Sequence, residues 1–259
     1  MNELIGGRDG VIYKDGTTMV RPLNTWSSTI HLLLTHLRKK GIVGCPEFMG
    51  KEDGNELLSY VEGETYNYPL SGSIASPTAL ASAARLLKSL HDASADFLRS
   101  YPEHDFHWML SAETPHEVIC HGDFTPYNVA LHGDHVVGVF DFDAAHPASR
   151  VWDLAYSVYC WAPFKTDPGD ALGTLSEQIV RARLFCDAYG ATTAHREALV
   201  QMMMRRLTSL VDFMQSAAAS GNQKFVANIE QGHHVSYLRD IEHLRQHKKE
   251  ITQGLLVDR

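Results

Sequence analysis

The sequence predicts an α+β chain in two lobes, a small antiparallel sheet with one helix over residues 1–62 and a larger, mainly helical part over residues 63–259. Three observations predict it. Up to Val61 the apolar residues fall in short runs bounded by turn pairs, a single 3.6-residue apolar period interrupts those runs, and from Ser76 onward helical periods dominate.

Val11 to Lys14 and Thr17 to Val20 flank Asp15-Gly16, the turn pair of a tight hairpin. Thr25 or Ser27 is the expected cap of a helix whose Ile30, Leu33, Leu34 and Leu37 fall at i, i+3, i+4 and i+7, with Gly41 as its stop. Further strands are expected at Glu47 to Gly50 and Glu56 to Val61, and Glu62-Gly63-Glu64 ends that apolar run. Ser76-Pro77 is a cap and first-turn pair opening a helix through Leu80, Ala84, Leu87 and His91. Val118 to Cys120 is a short apolar stretch. From Val129 to Phe140 alternating apolar residues flank His132-Gly133-Asp134, which predicts a β-hairpin. Three helices are expected beyond it: Thr174 to Tyr189 ending at Gly190, Thr193 to Ala219 ending before Gly221, and Asn222 to Ile251. Within them Met202, Met203 and Met204 read as core filling, and His233-His234 point in different directions and make no metal pair.

With 44% apolar and 21% charged residues the composition is that of an ordinary globular protein. Met1 to Gly10 hold no apolar block and no later stretch approaches a membrane span, so a cytoplasmic protein without a membrane partner is expected. Cys45, Cys120, Cys160 and Cys186 form no C-x-x-C pair and read as buried thiols. The net charge of −8 is concentrated: residues 101–160 carry Arg150 against nine acids, while the flanking segments are nearly balanced. Such a cluster suits divalent cations and argues against a nucleic-acid surface, which needs a basic stripe.

The segment from Cys120 to Asp153 carries the functional signal. Phosphoryl transfer needs a carboxylate at the acceptor hydroxyl, two oxygen ligands for Mg²⁺ and a scaffold that fixes all three. Asp123, Asn128 and Asp141 can supply those parts. His121-Gly122-Asp123 ends an apolar stretch, four residues separate Asp123 from Asn128, and the hairpin returns the chain to set Asp141 beside Asn128. The spacing H-x-D-x-x-x-x-N is similar to a kinase catalytic loop. With glycine at Gly122 and x-D-x-D following, it resembles the aminoglycoside phosphotransferase and choline kinase-like superfamily, of protein-kinase-like fold. The resemblance implies that Asp123 is the catalytic base, that Asn128 and Asp141 hold magnesium, and that Asp143 sits near the metal. It further implies that Asp153, in W-D-L-A, braces the catalytic loop, and that ATP or GTP is the phosphate donor. In such a fold Glu62-Gly63-Glu64 marks the hinge, and the backbone around Ser59 to Val61 would bond the purine.

Kinase-like enzymes place a strand lysine and a helix glutamate at the α- and β-phosphates. This chain offers Arg21 and His31 instead, and neither half of the usual pair is evident. Arg21 could fork onto two phosphate oxygens. Gly6 and Gly7, in Gly6-Gly7-Arg8-Asp9-Gly10, could let backbone amides approach phosphates, although the spacing departs from G-x-G-x-x-G.

The leading reading is a Mg²⁺-dependent kinase of a small hydroxylated molecule. Aminoglycosides, amino alcohols and sugars all remain open as acceptors, and no oligomeric state is indicated. A non-catalytic kinase-like binding protein is the alternative, motivated by Arg21, His31 and the irregular glycine loop. A two-metal phosphoesterase built on Asp105-Phe106-His107 lacks its Gly-Asn-His element, since Gln223 follows Gly221-Asn222.

Overall fold

The computed structural model describes the backbone of Asn2–Glu3 and residues 12–257. Gly6 and Gly7 lie outside the described residues. The chain folds as two compact units that interleave along the sequence. The first comprises Met1–Thr65, Arg85–Phe124 and Asn128–Arg150; the second comprises Tyr66–Ala84, Thr125–Tyr127 and Val151–Arg259.

The first unit is built on an antiparallel five-stranded sheet. Its strands are β1 (Asn2–Glu3), β2 (Tyr13–Asp15), β3 (Thr18–Pro22), β4 (Phe48–Glu52) and β5 (Asn55–Ser59), in the order β1-β2-β3-β5-β4. Between β3 and β4 runs helix α1 (Ser27–Lys39), and the predicted apolar stripe faces the core: Ile30, Leu33, Leu34 and Leu37 are all buried. The cap differs from expectation. Trp26 holds the cap position, and Ser27, already helical, turns its Oγ back to accept from Asn24 N at 3.0 Å. The helix stops at Gly41 as expected, with Ile42 N donating to Leu37 O at 3.0 Å. At the far end of α1, His36 Nε2 bonds Ala93 O at 3.0 Å near the end of α2 (Pro77–Ser94), which is followed by the single turn α3 (Phe97–Ser100).

Two short ribbons complete this unit. Strand β6 (Val118–Cys120) pairs antiparallel with β9 (His146–Ala148), and β7 (Val129–His132) forms the predicted hairpin with β8 (His135–Val139). Ser94 Oγ donates to Ile119 O at 3.2 Å and accepts from Ile119 N at 3.1 Å, so the end of α2 fixes β6 in place.

Helices make up most of the second unit. The first turns of α2 begin as expected, with Ala79 N donating to Ser76 Oγ at 3.0 Å. Helix α4 (Arg150–Trp161) is buried at every residue from Trp152 to Trp161, the polar Asp153 and Ser157 included, so no solvent-facing stripe marks it in the sequence. Helix α5 (Leu175–Tyr189) starts at the Thr174–Glu177 capping box and stops at Gly190, and α6 runs Thr193–Ala219 from a Thr192 cap. The last expected helix is two: α7 (Gln223–Glu230) and α8 (His233–Leu256), broken at Gly232, whose φ of 76° no helix interior allows.

Inside this unit Asp240 is a structural anchor on α8, with Oδ2 accepting from Tyr159 Oη at 2.5 Å and Oδ1 from Thr166 N and Oγ1 at 2.7 Å. All four cysteines are buried and none is in a disulfide, and burial alone pushes the Cys45 thiol up to about 12. Among the described residues no helix is long and apolar enough to cross a membrane.

Candidate active site

Strand β6 delivers His121-Gly122-Asp123, and the turn there demands glycine. Gly122 has φ of 79°, and a Cβ on it would stand 2.2 Å from Ala144 O. That approach ties the loop to the segment after β8. His121 ties it again: its Nε2–H donates to Phe140 O at 3.0 Å, while its Nδ1 accepts from Asp123 N at 3.3 Å. One imidazole thus bonds the residue before Asp141 and the backbone of Asp123, with its tautomer set by both partners.

Asn128 completes the loop. Its Nδ2 donates to Asp123 Oδ2 at 2.8 Å and to Asp123 O at 3.0 Å, and its own carbonyl accepts from Phe140 N at 2.9 Å. The five-residue separation read from the sequence therefore closes into a direct side-chain pair. Both amide hydrogens go to Asp123, so the oxygen Oδ1 is the Asn128 atom suited to a cation.

Asp141 follows β8 in a left-handed conformation, φ 62° and ψ 64°, rare for a residue other than glycine. Its side chain is 52% exposed, whereas that of Asp143, two residues on, is only 11% exposed. Both face Arg21. The guanidinium NH2 donates to Asp143 Oδ1 at 2.7 Å, and NH1 lies 3.6 Å from Asp141 Oδ1.

Arg21 stands on β3 directly opposite Glu56 on β5, and its Nε donates to Glu56 Oε1 at 2.6 Å. The other Glu56 oxygen takes a short bond from His31 Nε2 on α1, whose ring stacks on Phe48 with centroids 3.8 Å apart. Burial works against the charge on Arg21, but Asp143, Glu56 and Asp141 outweigh it and raise its pKa further. Burial likewise pushes the Glu56 carboxyl up; the His31 bond and the Arg21 charge overcome this and hold it below the usual carboxylate value. No motif in the sequence marks Glu56, but strand parity does: it shares a face with Leu58 and points inward with that core residue.

Ser59 ends β5, its N–H donating to Glu47 O at 2.8 Å, and Tyr60 N donates to Thr17 O at 2.7 Å. Val61 lies beyond the strand and packs at Gly138, where a Cβ would meet its methyl at 2.4 Å. Asp153 is buried on α4 in the second unit. The donor set of Asn128, Asp141 and Asp143 is all hard oxygen, and its carboxylates exceed the one guanidinium among them, which fits Mg²⁺.

The profile of the phosphotransferase enzyme family matches residues 102–193, which span this loop and both aspartates. The trifolitoxin immunity protein of Rhizobium leguminosarum bv. trifolii is 31% identical over 209 residues, covering 76% of this chain and 74% of that protein. Among solved structures, a choline/ethanolamine kinase family protein from Mesorhizobium loti superposes with a TM-score of 0.56 at 13% identity, over 93% of this chain and 91% of its own. Plasmodium vivax ethanolamine kinase gives 0.54 at 12% identity, over 80% and 75%. These distant structures share the kinase-like fold seen here, a small antiparallel sheet followed by a larger helical part. Sequence match, loop spacing and fold agree, and the chain belongs to the phosphotransferase enzyme family of the aminoglycoside phosphotransferase and choline kinase-like superfamily.

Proposed function

We propose that this chain transfers the γ-phosphate of ATP or GTP to a hydroxyl of a small molecule, with Mg²⁺. The observation that carries the proposal is the Asp123–Asn128 pair, locked by His121 to the strand end that presents Asp141. Asp123 Oδ accepts the acceptor's hydroxyl proton as its oxygen bonds phosphorus and the nucleoside diphosphate leaves. Asn128 Oδ1 and Asp141 would hold the metal with Asp143 beside them, and the bound ion would neutralise charge on the transferring phosphate. Arg21 is assigned the α- and β-phosphates, with Gly6 and Gly7 assigned to the same phosphates on sequence grounds. For the purine, Ser59 and Tyr60 already spend their N–H groups within the sheet, which favours the backbone of Val61.

The acceptor class follows from charge and kinship. Nine acids against one arginine in residues 101–160 favour a cationic or uncharged acceptor over an anionic one. The relative named for trifolitoxin immunity puts a toxin among the acceptors to screen, beside aminoglycosides and amino alcohols. Calorimetric titration with ATP and with GTP, each with and without Mg²⁺, tests the donor site. Release of nucleoside diphosphate across an acceptor panel tests transfer, and Asp123→Ala should lose at least about 100-fold in turnover. Full activity in that variant would refute the assignment.

One observation favours a second reading, a non-catalytic ligand-binding protein: the guanidinium of Arg21 already neutralises Asp143 and approaches Asp141. Nucleotide binding indifferent to Mg²⁺, with no product from any acceptor, selects that reading.

A further inference from the structure

We propose that Glu56 and His31 are positioning residues for Arg21, a three-residue chain that orients the guanidinium toward the phosphates in place of a lysine gripped by a helix glutamate. The inference rests on the donor site proposed above and names residues to which that proposal gives no role.

A guanidinium carries five N–H donors in one plane, with Nε on one side and the NH1/NH2 edge on the other. At Arg21 the two sides do different things. Nε is held by Glu56 Oε1 at 2.6 Å, which fixes the plane from behind. The NH1/NH2 edge then points at Asp143, 2.7 Å away, and at Asp141, 3.6 Å away, the end of the site assigned to the metal and phosphates. A lysine has a single ammonium at its tip. Its three donors share that one atom, so it has no separate donor atom to bond Glu56 from behind while others face the phosphate end. Placing the carboxylate on the neighbouring strand, directly across from residue 21, therefore favours arginine.

Glu56 is itself held. It is fully buried, with Oε1 on Arg21 and Oε2 on His31 Nε2, so neither oxygen can swing without breaking a bond in a low-dielectric site. His31 is clamped in turn by its stack on Phe48 of β4. The chain of contacts runs from α1 through β5 to β3 and ends at the aspartates after β8. What an acidic side chain on the helix would do directly, this protein divides between a helix histidine that donates and a strand glutamate that accepts.

The test is calorimetric affinity for Mg·ATP and Mg·GTP, with a thermal melt and circular dichroism on every variant. Arg21→Lys and Arg21→Met are each expected to weaken binding about tenfold, because charge without the fork does not serve. Glu56→Gln is expected to weaken it about tenfold in the native background but less than about twofold in the Arg21→Met background, since Glu56 acts only through Arg21. His31→Gln keeps a donor and should stay within about threefold of wild type, whereas His31→Leu should match Glu56→Gln. A lysine variant within twofold of wild type, or a Glu56→Gln loss equal in both backgrounds, overturns the inference and leaves the donor site standing. If Glu56→Gln does not fold, the comparison of Arg21→Lys with Arg21→Met decides alone. If the wild type binds neither nucleotide, the donor site falls and the positioning role falls with it.

Discussion

At the scale of single residues, the site depends on side chains that no neighbour could replace. Gly122 is the sharpest case, because a methyl there would press within 2.2 Å of Ala144 O while φ stays at 79°. Gly122→Ala should cost roughly 3 kcal/mol, the left-handed strain and the displaced backbone together. A fall in the urea midpoint at unchanged slope would show it, and a variant as stable as wild type would mean that the loop relaxes freely. What the sequence disclosed at this scale follows distance along the chain. Asp123 and Asn128 are five residues apart and their bond could be expected from spacing; Arg21 and Glu56 are joined only by strand register, and Arg21 and Asp143 only by the fold. Hence the loop was legible, and the partner of Arg21 was not.

The same division holds for elements, where ends with local chemistry were readable and changes of direction without it were not. Thr174 accepts from Glu177 N while Glu177 Oε2 accepts from Thr174 N at 2.7 Å, a reciprocal cap that starts α5 one residue inside the predicted bound. Thr174→Ala should destabilise the protein by about 1 kcal/mol and lower Tm by roughly 2–4 °C. Nucleotide affinity should not change, and a loss of affinity without a loss of Tm would give α5 a role that its cap does not explain. By contrast α4 is buried on all sides, its polar Asp153 and Ser157 included, and the α7–α8 break rests on one glycine within a polar, helix-favouring stretch. The first sets no exposed face against a buried one from Trp152 to Trp161, and the second has no side-chain cap to announce it. In the sheet the hairpins were visible because Asp15-Gly16 and Gly133-Asp134 are turn chemistry. Strand β9 was not, since His146-Pro147-Ala148 pairs only because β6 lies beside it.

For the whole molecule, the buried ion pairs link stability to pH. The Glu56 carboxyl is raised by burial but lowered overall by the His31 bond and the Arg21 charge, which are the charged and titratable partners bonded to it. A carboxylate whose folded pKa lies below its unfolded value of about 4.3 contributes stability that is fully present above that value. Within the window below it the unfolded chain binds the proton first, so the contribution is lost as pH falls through the folded pKa. Asp96 acts in the same direction, lowered by its bond from Lys40 and by the charges of Lys40 and His36, although its exposure lets solvent screen the effect. The urea midpoint should therefore hold from pH 7 to about 5 and fall steadily below about 4.3. Glu56→Gln removes one titrating group from that window, so its midpoint should begin lower at neutral pH yet decline less steeply, the unfolding free energy differing in slope by up to about 1.4 kcal/mol per pH unit. Parallel slopes for the two proteins would mean that the Glu56 carboxyl takes up its proton at the same pH folded and unfolded, the cost of burial cancelling what His31 and Arg21 supply.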